Sequence, residues 1–207
     1  MFNMVYAVVL PIAWVLVHCL FRFKVTGKEY LPQNGKFIIC PNHVSALDPV
    51  FVVVARGRGE KLIVMGKEEV FANKFLEWFF KQLGAFAVRR GSGNAEVVDK
   101  AIQDVQTGRG MLLFPEGTRT LTGEIGKIKS GAFVIAAKAN ADIIPCRISY
   151  STGKMKLFCK VVVAFGPPMS VLDMRLTEQY STSVLREAKN TLKDKILELP
   201  EAGGQWK

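Results

Sequence analysis

The chain has 207 residues, of which 49% are hydrophobic, and its 28 Lys and Arg residues against 18 Asp and Glu residues give a formal net charge of +10. This length suffices for one sizeable core, and the apolar content excludes a disordered protein. The positive charge favours an anionic partner, namely nucleic acid, an acidic membrane surface or a phosphorylated substrate. Because the sequence has no zinc-finger spacing, basic zipper or aromatic RNA-binding motif, we expect no nucleic-acid partner.

The N-terminal segment is apolar and almost uncharged from Met1 to Phe21. About 20 apolar residues can span a bilayer, so residues 1–23 are predicted to form a helix that spans the membrane or lies in its interface. A first helix buried in the protein is the alternative. The basic residues that follow, such as Arg22, would stay in the cytoplasm. We therefore expect a membrane protein whose remaining domain, residues 24–207, has its active site on the cytoplasmic side.

Short apolar strands alternate with helices beyond Gly27. The strands are predicted from their length and their β-branched or aromatic content, at Phe37–Cys40, Leu62–Met65, Ala85–Val88, Met111–Phe114, Ile143–Ile148 and Lys156–Phe165. Amphipathic helices are predicted at about residues 94–107 and 177–199. This alternation predicts the α/β class, with a mixed, mostly parallel sheet flanked by helices.

An aromatic segment, NKFLEWFFKQLG at residues 73–84, carries more aromatic surface than one helix face needs. It can pack into the core, or it can place Trp78 at the level of lipid headgroups with Lys74 and Lys81 toward acidic lipid. The sequence leaves both interpretations open.

The four cysteines have no metal-ligand spacing. They are Cys19, Cys40, Cys146 and Cys159. We interpret them as buried, reduced thiols of a cytosolic compartment and expect no metal site. A nucleophilic role of Cys40 is the alternative.

The clearest chemical signal is the segment NHVSALD at residues 42–48, which places His43 and Asp48 just after the predicted strand 37–40. The other histidine, His18, lies in the apolar N-terminal segment, so His43 is the candidate base near neutral pH. A side chain at the carboxyl rim of an α/β sheet stands where sites are commonly built. The loop can fold back so that Asp48 accepts a hydrogen bond from one ring nitrogen, leaving the other to face a substrate hydroxyl. Taken alone, the spacing of such a pair is more often structural.

A second polar segment, FPEGTRT at residues 114–120, also follows a predicted strand. Gly117 lets backbone N–H groups approach a ligand closely, Thr118 offers a hydroxyl, and Arg119 offers a planar fork that suits phosphate. Lys129 precedes the next helix, whose N-terminus also favours an anion. Each cation alone would be interpreted as a solvated surface charge, but their convergence beside strand ends predicts a phosphate site.

Together, NHVSALD and FPEGTRT resemble the paired motifs of the glycerolipid acyltransferase family, specifically the 1-acylglycerol-3-phosphate acyltransferases. Each motif alone is modest, whereas the pair in this order, about seventy residues apart, is specific. Other stretches resemble family blocks over most of the chain: the lead-in at residues 25–32, the lysine-bearing block at 66–71, the segment ending in arginine at 84–90 and the proline block at 143–146.

The resemblance implies direct acyl transfer without an acyl-enzyme, a metal or a cofactor. His43, oriented by Asp48, would deprotonate the 2-hydroxyl of lysophosphatidic acid, and this oxygen would attack the thioester of acyl-CoA or acyl carrier protein. Phosphatidic acid and the free thiol carrier would leave. The substrate-binding residues implied by the resemblance are Lys67, Glu116, Gly117, Thr118, Arg119 and Lys129, with Arg119 on the phosphate.

Two positions depart from the family pattern. Ser130 stands where a second basic residue is common, and Arg147 stands where an apolar residue is frequent. The alternatives are therefore an acyltransferase for another lysophospholipid or an amine, and a non-catalytic membrane lipid-binding protein. The presence of both His43 and Asp48 argues against a binder, because a binder needs neither. The expected partners are the lysophospholipid, the acyl donor, the membrane and, as one form of the donor, acyl carrier protein.

Overall fold

The computed structural model describes residues 4–57, 59–67, 74, 77, 84–88, 95–120, 124–177 and 180–203. The helices with described bounds are α1 (Met4–Leu20), α2 (Asp48–Arg56), α3 (Ala95–Gln106), α4 (Gly131–Ala139) and α5 (Thr182–Glu198). The strands are β1 (Arg22–Thr26), β2 (Phe37–Pro41), β3 (Ile63–Lys67), β4 (Ala85–Val88), β5 (Met111–Leu112), β6 (Asp142–Tyr150) and β7 (Lys160–Phe165).

The strands form one 7-stranded sheet in the order β1-β7-β6-β2-β5-β3-β4. The β6–β7 pair is antiparallel and the other pairs are parallel, which confirms the predicted mixed, mostly parallel α/β sheet. Because β2, β5 and β3 are neighbours and run in the same direction, the loops that follow them meet at one rim of the sheet.

Helices cover both faces of the sheet, and the central strand shows how the sequence places them. Every residue of β2 is buried, and successive side chains point to opposite faces. Phe37 and Ile39 pack with α2 and the end of α1, whereas Ile38 and Cys40 pack with α3, α4 and α5. A strand covered on both sides is apolar throughout, which is why the run at Phe37–Cys40 was recognisable.

Several element bounds differ from the sequence predictions. Strand β5 stops at Leu112, although the Leu113 amide still donates to the Ile39 carbonyl at 3.0 Å, and the chain then turns into the FPEGTRT segment. Strand β7 starts at Lys160 rather than at residue 156, because the preceding residues form a turn in which Phe158 has a φ of 63°. The last helix starts at Thr182, after Ser181 caps it. Strand β1 was not among the predicted strands.

Helix α1 lies against the domain along one side and leaves most of its apolar surface exposed. Val17 is buried and packs in the cluster that includes α2, and Tyr6 is buried near the other end of α1. The exposed apolar side chains are Val8, Ile12, Trp14, Val15, Leu16 and Leu20. The alternative of a fully buried first helix is therefore wrong. Among the helices that the described residues form, none is both long and apolar enough to cross a bilayer.

The aromatic segment at residues 73–84 lies outside the described residues except for Lys74, Glu77 and Gly84, so its two interpretations stay predictions. The thiol prediction is confirmed at three positions, since Cys40, Cys146 and Cys159 are buried, and wrong for Cys19, which is exposed on α1.

Candidate active site

The loop between β2 and α2 folds back on itself as predicted. The Nδ1 atom of the His43 ring lies 2.8 Å from the Oδ2 atom of Asp48, whose side chain is fully buried. The same oxygen accepts hydrogen bonds from the backbone N–H groups of Val44 and Ser45, both at 2.7 Å. Three donors on one oxygen fix the carboxylate, and the carboxylate in turn fixes the ring.

The other oxygen of Asp48 accepts a hydrogen bond from the hydroxyl of Tyr150, the last residue of β6. Burial raises the pKa of Tyr150 well above its usual range, and the negative charge of Asp48 raises it further. The hydroxyl therefore stays protonated and keeps donating. Sequence reasoning missed Tyr150, because nothing in its local pattern distinguishes it from other residues of a buried strand.

The His43 ring is held from a second side by Phe114. The two rings stack with centroids 4.0 Å apart and an angle of 28° between their planes. The histidine side chain is 17% exposed, and its Nε2 atom has no hydrogen-bond partner within the described part of the chain. One nitrogen is thus fixed by Asp48 while the other is free to meet a substrate.

Glu116 joins the two motifs through their backbones. Its Oε1 accepts from the His43 amide at 2.8 Å, and its Oε2 accepts from the Gly126 amide at 2.7 Å. The side chain is buried. The resemblance implies that Glu116 binds substrate. In the structure, however, each of its two carboxylate oxygens already accepts a hydrogen bond from a backbone amide, which is the geometry of a positioning residue.

Thr120 holds the same histidine from its carbonyl side. The Thr120 amide donates to the His43 carbonyl at 2.8 Å, and the Thr120 hydroxyl lies 3.3 Å from that oxygen. With Glu116 on the amide and Thr120 on the carbonyl, the backbone of His43 is fixed by the FPEGTRT segment on both sides.

A tight turn brings Lys129 against Gly117. Gly117 has a φ of 70°, and its amide donates to the Phe114 carbonyl at 3.1 Å. A Cβ atom at Gly117 would lie 2.8 Å from the Nζ of Lys129, so the absence of a side chain makes room for this ammonium group. The Lys129 amide also donates to the Pro115 carbonyl at 2.8 Å, which ties the two segments together.

Thr118 and Arg119 form the exposed end of this turn. Their backbone N–H groups, and the guanidinium group of Arg119, have no hydrogen-bond or ion-pair partner among the described residues. The ammonium group of Lys129 lies beside Gly117 in the same turn, and the Thr120 amide ties this segment to the His43 carbonyl. Backbone donors and positive charge on one turn suit an anion.

Lys67 is the last residue of β3, which pairs with β5, so its backbone lies at the same rim of the sheet as the His43 loop. Its side chain is outside the described set.

Arg147 has a structural role, because its guanidinium group donates to the carbonyls of Leu197 and Leu199 at 2.8 Å and pairs with Glu201 at 2.6 Å. An arginine at this position, where the family often has an apolar residue, is therefore explained by its contacts with the end of α5 and the residues that follow. In the described ranges, no three His, Cys, Asp or Glu side chains cluster as a metal site would require.

Comparisons with known proteins show which family the chain resembles. Residues 22–149 match the sequence model of the family described as Acyltransferase. A 1-acyl-sn-glycerol-3-phosphate acyltransferase of Bacillus subtilis is 30% identical over 173 residues, which cover 81% of this chain and 84% of that protein. A chloroplastic enzyme of the same name from Brassica napus is 28% identical over 146 residues, or 69% of this chain. The match spans 41% of the plant relative's length.

The fold also matches a solved structure. The crystal structure of the 1-acyl-sn-glycerophosphate acyltransferase PlsC from Thermotoga maritima superposes with a TM-score of 0.70 and 21% sequence identity, covering 96% of this chain and 78% of that one. At this level of identity the likeness supports the architecture of the sheet and its helices.

Proposed function

The chain belongs to the acyltransferase family, and on this premise we propose that it transfers a fatty acyl group to the 2-hydroxyl of 1-acylglycerol-3-phosphate. The donor is a thioester, acyl-CoA or acyl carrier protein, and the product is phosphatidic acid. The observation that carries the proposal is the 2.8 Å contact between His43 and Asp48, in a loop that Glu116 and Thr120 hold by its backbone. The names of the relatives from Bacillus subtilis and Brassica napus support the choice of acceptor.

His43 acts as the general base in this mechanism. Its Nε2 takes the proton of the acceptor hydroxyl as that oxygen attacks the thioester carbonyl carbon, and Asp48 stabilises the imidazolium that forms. The C–S bond then breaks, and the departing sulfur takes the proton back from His43. A positioned base contributes about 10²–10⁴-fold in rate. No bond forms between the acyl group and the protein.

The acceptor phosphate binds at the turn that contains Gly117. Arg119 offers a bidentate fork, Lys129 offers a point charge, and the amides of Thr118 and Arg119 offer two neutral donors. The Gly117 amide already donates to the Phe114 carbonyl, so this group is engaged within the turn. Lys67, at the end of β3, is a further candidate for the phosphate, while Glu116 accepts a hydrogen bond from the His43 amide.

The membrane supplies both the acceptor and the surface on which the protein works. The proposed division is an anchoring segment, residues 1–23, and an acyltransferase domain, residues 24–207. Helix α1 ends at Leu20 and β1 begins at Arg22, so this boundary falls two residues inside the first strand of the sheet. The exposed apolar side chains of α1 suit the bilayer interface, and the basic residues that follow support a cytoplasmic location of the domain.

The direct test is release of free thiol by the purified full chain. Thiol should appear from acyl-CoA or from acyl carrier protein only when lysophosphatidic acid is present, and a panel of other lysophospholipids and amines should be poorer acceptors. The variant His43→Ala should lose turnover while keeping its thermal transition, whereas His18→Ala should keep both. Absence of thiol release with every donor, or full activity of His43→Ala, would contradict the proposal.

The phosphate site is tested separately with Arg119→Ala. Loss of a charge-assisted hydrogen bond should raise the KM for the acceptor by about 10- to 100-fold and leave the KM for the donor nearly unchanged. The matched control is Arg186→Ala, which removes an exposed arginine from α5. Equal effects on both substrates would place Arg119 outside the acceptor site.

A further inference from the structure

The loop between β6 and β7 presents two large apolar side chains to solvent. Leu157 is 63% exposed and Phe158 is 67% exposed. Phe158 also has a φ of 63°, a conformation that a bulky side chain adopts at a cost. An exposed pair of this kind, rimmed by polar residues, is typical of an interaction site.

The loop is joined to the C-terminal end of α1. The amide of Phe158 donates to the Leu20 carbonyl at 2.7 Å, and the amide of Arg22 donates to the Cys159 carbonyl at 3.0 Å. Helix α1 contributes its own exposed apolar residues next to this junction, including Leu16 and Leu20. We call this surface the apolar rim, and define it as Leu157 and Phe158 with the exposed apolar side chains of the last two turns of α1, namely Trp14, Val15, Leu16 and Leu20.

Charge indicates what covers the apolar rim. Residues 151–160 contain no acidic residue, and neither do residues 1–21. Lys154 and Lys156 precede the exposed pair within the loop, and Arg22 follows α1; all three side chains are exposed. Basic residues around an apolar surface suit anionic lipid headgroups around acyl chains. A second copy of the chain would instead bring like charges together.

The apolar rim is on the side of the sheet where the candidate active site lies. Strand β6 runs parallel to β2, so the loop that starts after Tyr150 leaves from the same rim as the His43 loop. An aromatic contact path connects the two regions, because Phe51 packs against Phe21 at 5.1 Å and against Tyr150 at 6.0 Å between ring centroids.

We propose that the Leu157-Phe158 loop is a second membrane contact, which inserts beside α1 into the interface of an anionic bilayer and holds the His43 rim against the lipid. The ligand is the bilayer surface itself. The proposed function supplies only the reason why the protein would bind a membrane. Membrane binding by this loop does not depend on turnover.

The experiment measures partition of the full chain onto vesicles by flotation over a lipid titration. The vesicles contain phosphatidylcholine alone or phosphatidylcholine with phosphatidylglycerol. The test variant is the double substitution Leu157→Ser and Phe158→Asn; Asn tolerates positive φ, so the turn is preserved. The matched control is Leu172→Ser with Leu197→Ser. Leu172 is 73% exposed and follows Met169, which bonds to Ile143 near the start of β6, at the opposite rim.

The test variant should bind both kinds of vesicle about 10- to 100-fold more weakly than the natural chain, because two large side chains no longer enter the apolar layer. Substituting Lys154 and Lys156 with Gln should weaken binding about fivefold per lysine, and only on anionic vesicles. Thermal unfolding of the test variant should match that of the natural chain.

The proposal is overturned if the test variant binds like the natural chain, or if the control variant loses as much binding. It is also overturned if the test variant loses self-association instead of lipid binding, because the apolar rim would then bind a second copy of the chain. Turnover of a water-soluble, short-chain acceptor separates the two proposals: the test variant should retain the turnover of the natural chain. Absence of acyl transfer by the natural chain contradicts the proposed function and leaves the vesicle result intact.

Discussion

Tyr150 donates its hydroxyl hydrogen to one oxygen of Asp48 while the His43 ring occupies the other. The carboxylate is therefore shared between a catalytic ring and a buried phenol from another strand. Because two backbone amides also donate to Asp48, its charge is dispersed over four donors, and its position is fixed by β6 as well as by its own loop. This arrangement makes Tyr150 a positioning residue for the proposed reaction.

We expect Tyr150→Phe to lower kcat by about tenfold with little change in either KM. The phenyl ring fills the same space but leaves one buried carboxylate oxygen without its donor, which weakens the orientation of His43 and lowers the free energy of unfolding by about 1–3 kcal/mol. Steady-state kinetics and thermal unfolding measure the two effects. The control is Tyr30→Phe, which changes an exposed phenol just after β1, at the rim of the sheet opposite to Tyr150. A change in KM alone would contradict a positioning role.

Glu116→Gln should impair the protein through His43 rather than through substrate. A glutamine can accept from only one of the two amides now bound, so either His43 or Gly126 loses its partner. We expect kcat to fall by about tenfold or more and the acceptor KM to change by less than about threefold, with a loss of stability of about 1–3 kcal/mol. The exposed Glu198→Gln on α5 is the matched control. A rise in the acceptor KM at constant kcat would instead show that Glu116 binds the substrate.

The thiols should differ sharply in reactivity. Cys19 is exposed, whereas burial raises the pKa of Cys40 and of Cys146. At mildly alkaline pH an alkylating reagent should modify Cys19 rapidly because it is accessible, and Cys40 and Cys146 only after unfolding. Mass spectrometry of timed samples checks this. Cys40→Ala should keep its turnover, and loss of turnover with an intact fold would make a cysteine nucleophile the better mechanism.

Locality explains which features the sequence could predict. The fold-back of His43 and Asp48 depends on a loop within five positions, so its geometry follows from strand, turn and helix signals in one short segment. Tyr150 contacts Asp48 across 102 positions, and only the pairing of β6 with β2 brings them together. Glu116 was recognisable as a motif residue, yet its bond to the His43 amide spans 73 positions, so its positioning geometry needed the fold.

Gly117→Ala should weaken acceptor binding because the added methyl group displaces Lys129, and a substitution at Gly153 separates this effect from backbone strain. The substitution places a methyl group 2.8 Å from the present position of the Lys129 ammonium, and it also strains a residue with a φ of 70° by about 1–2 kcal/mol. Gly153 has a φ of 69°, and a methyl group added there would meet nothing within 4 Å, so Gly153→Ala carries the backbone cost without the displacement. Both variants should lose similar stability, measured by denaturant unfolding, but only Gly117→Ala should raise the acceptor KM, by about tenfold or more.

In the background of Lys129→Ala the extra effect of Gly117→Ala on the acceptor KM should largely disappear, because the displaced cation is already gone. Full additivity of the two substitutions would show that Gly117 acts on the acceptor without Lys129.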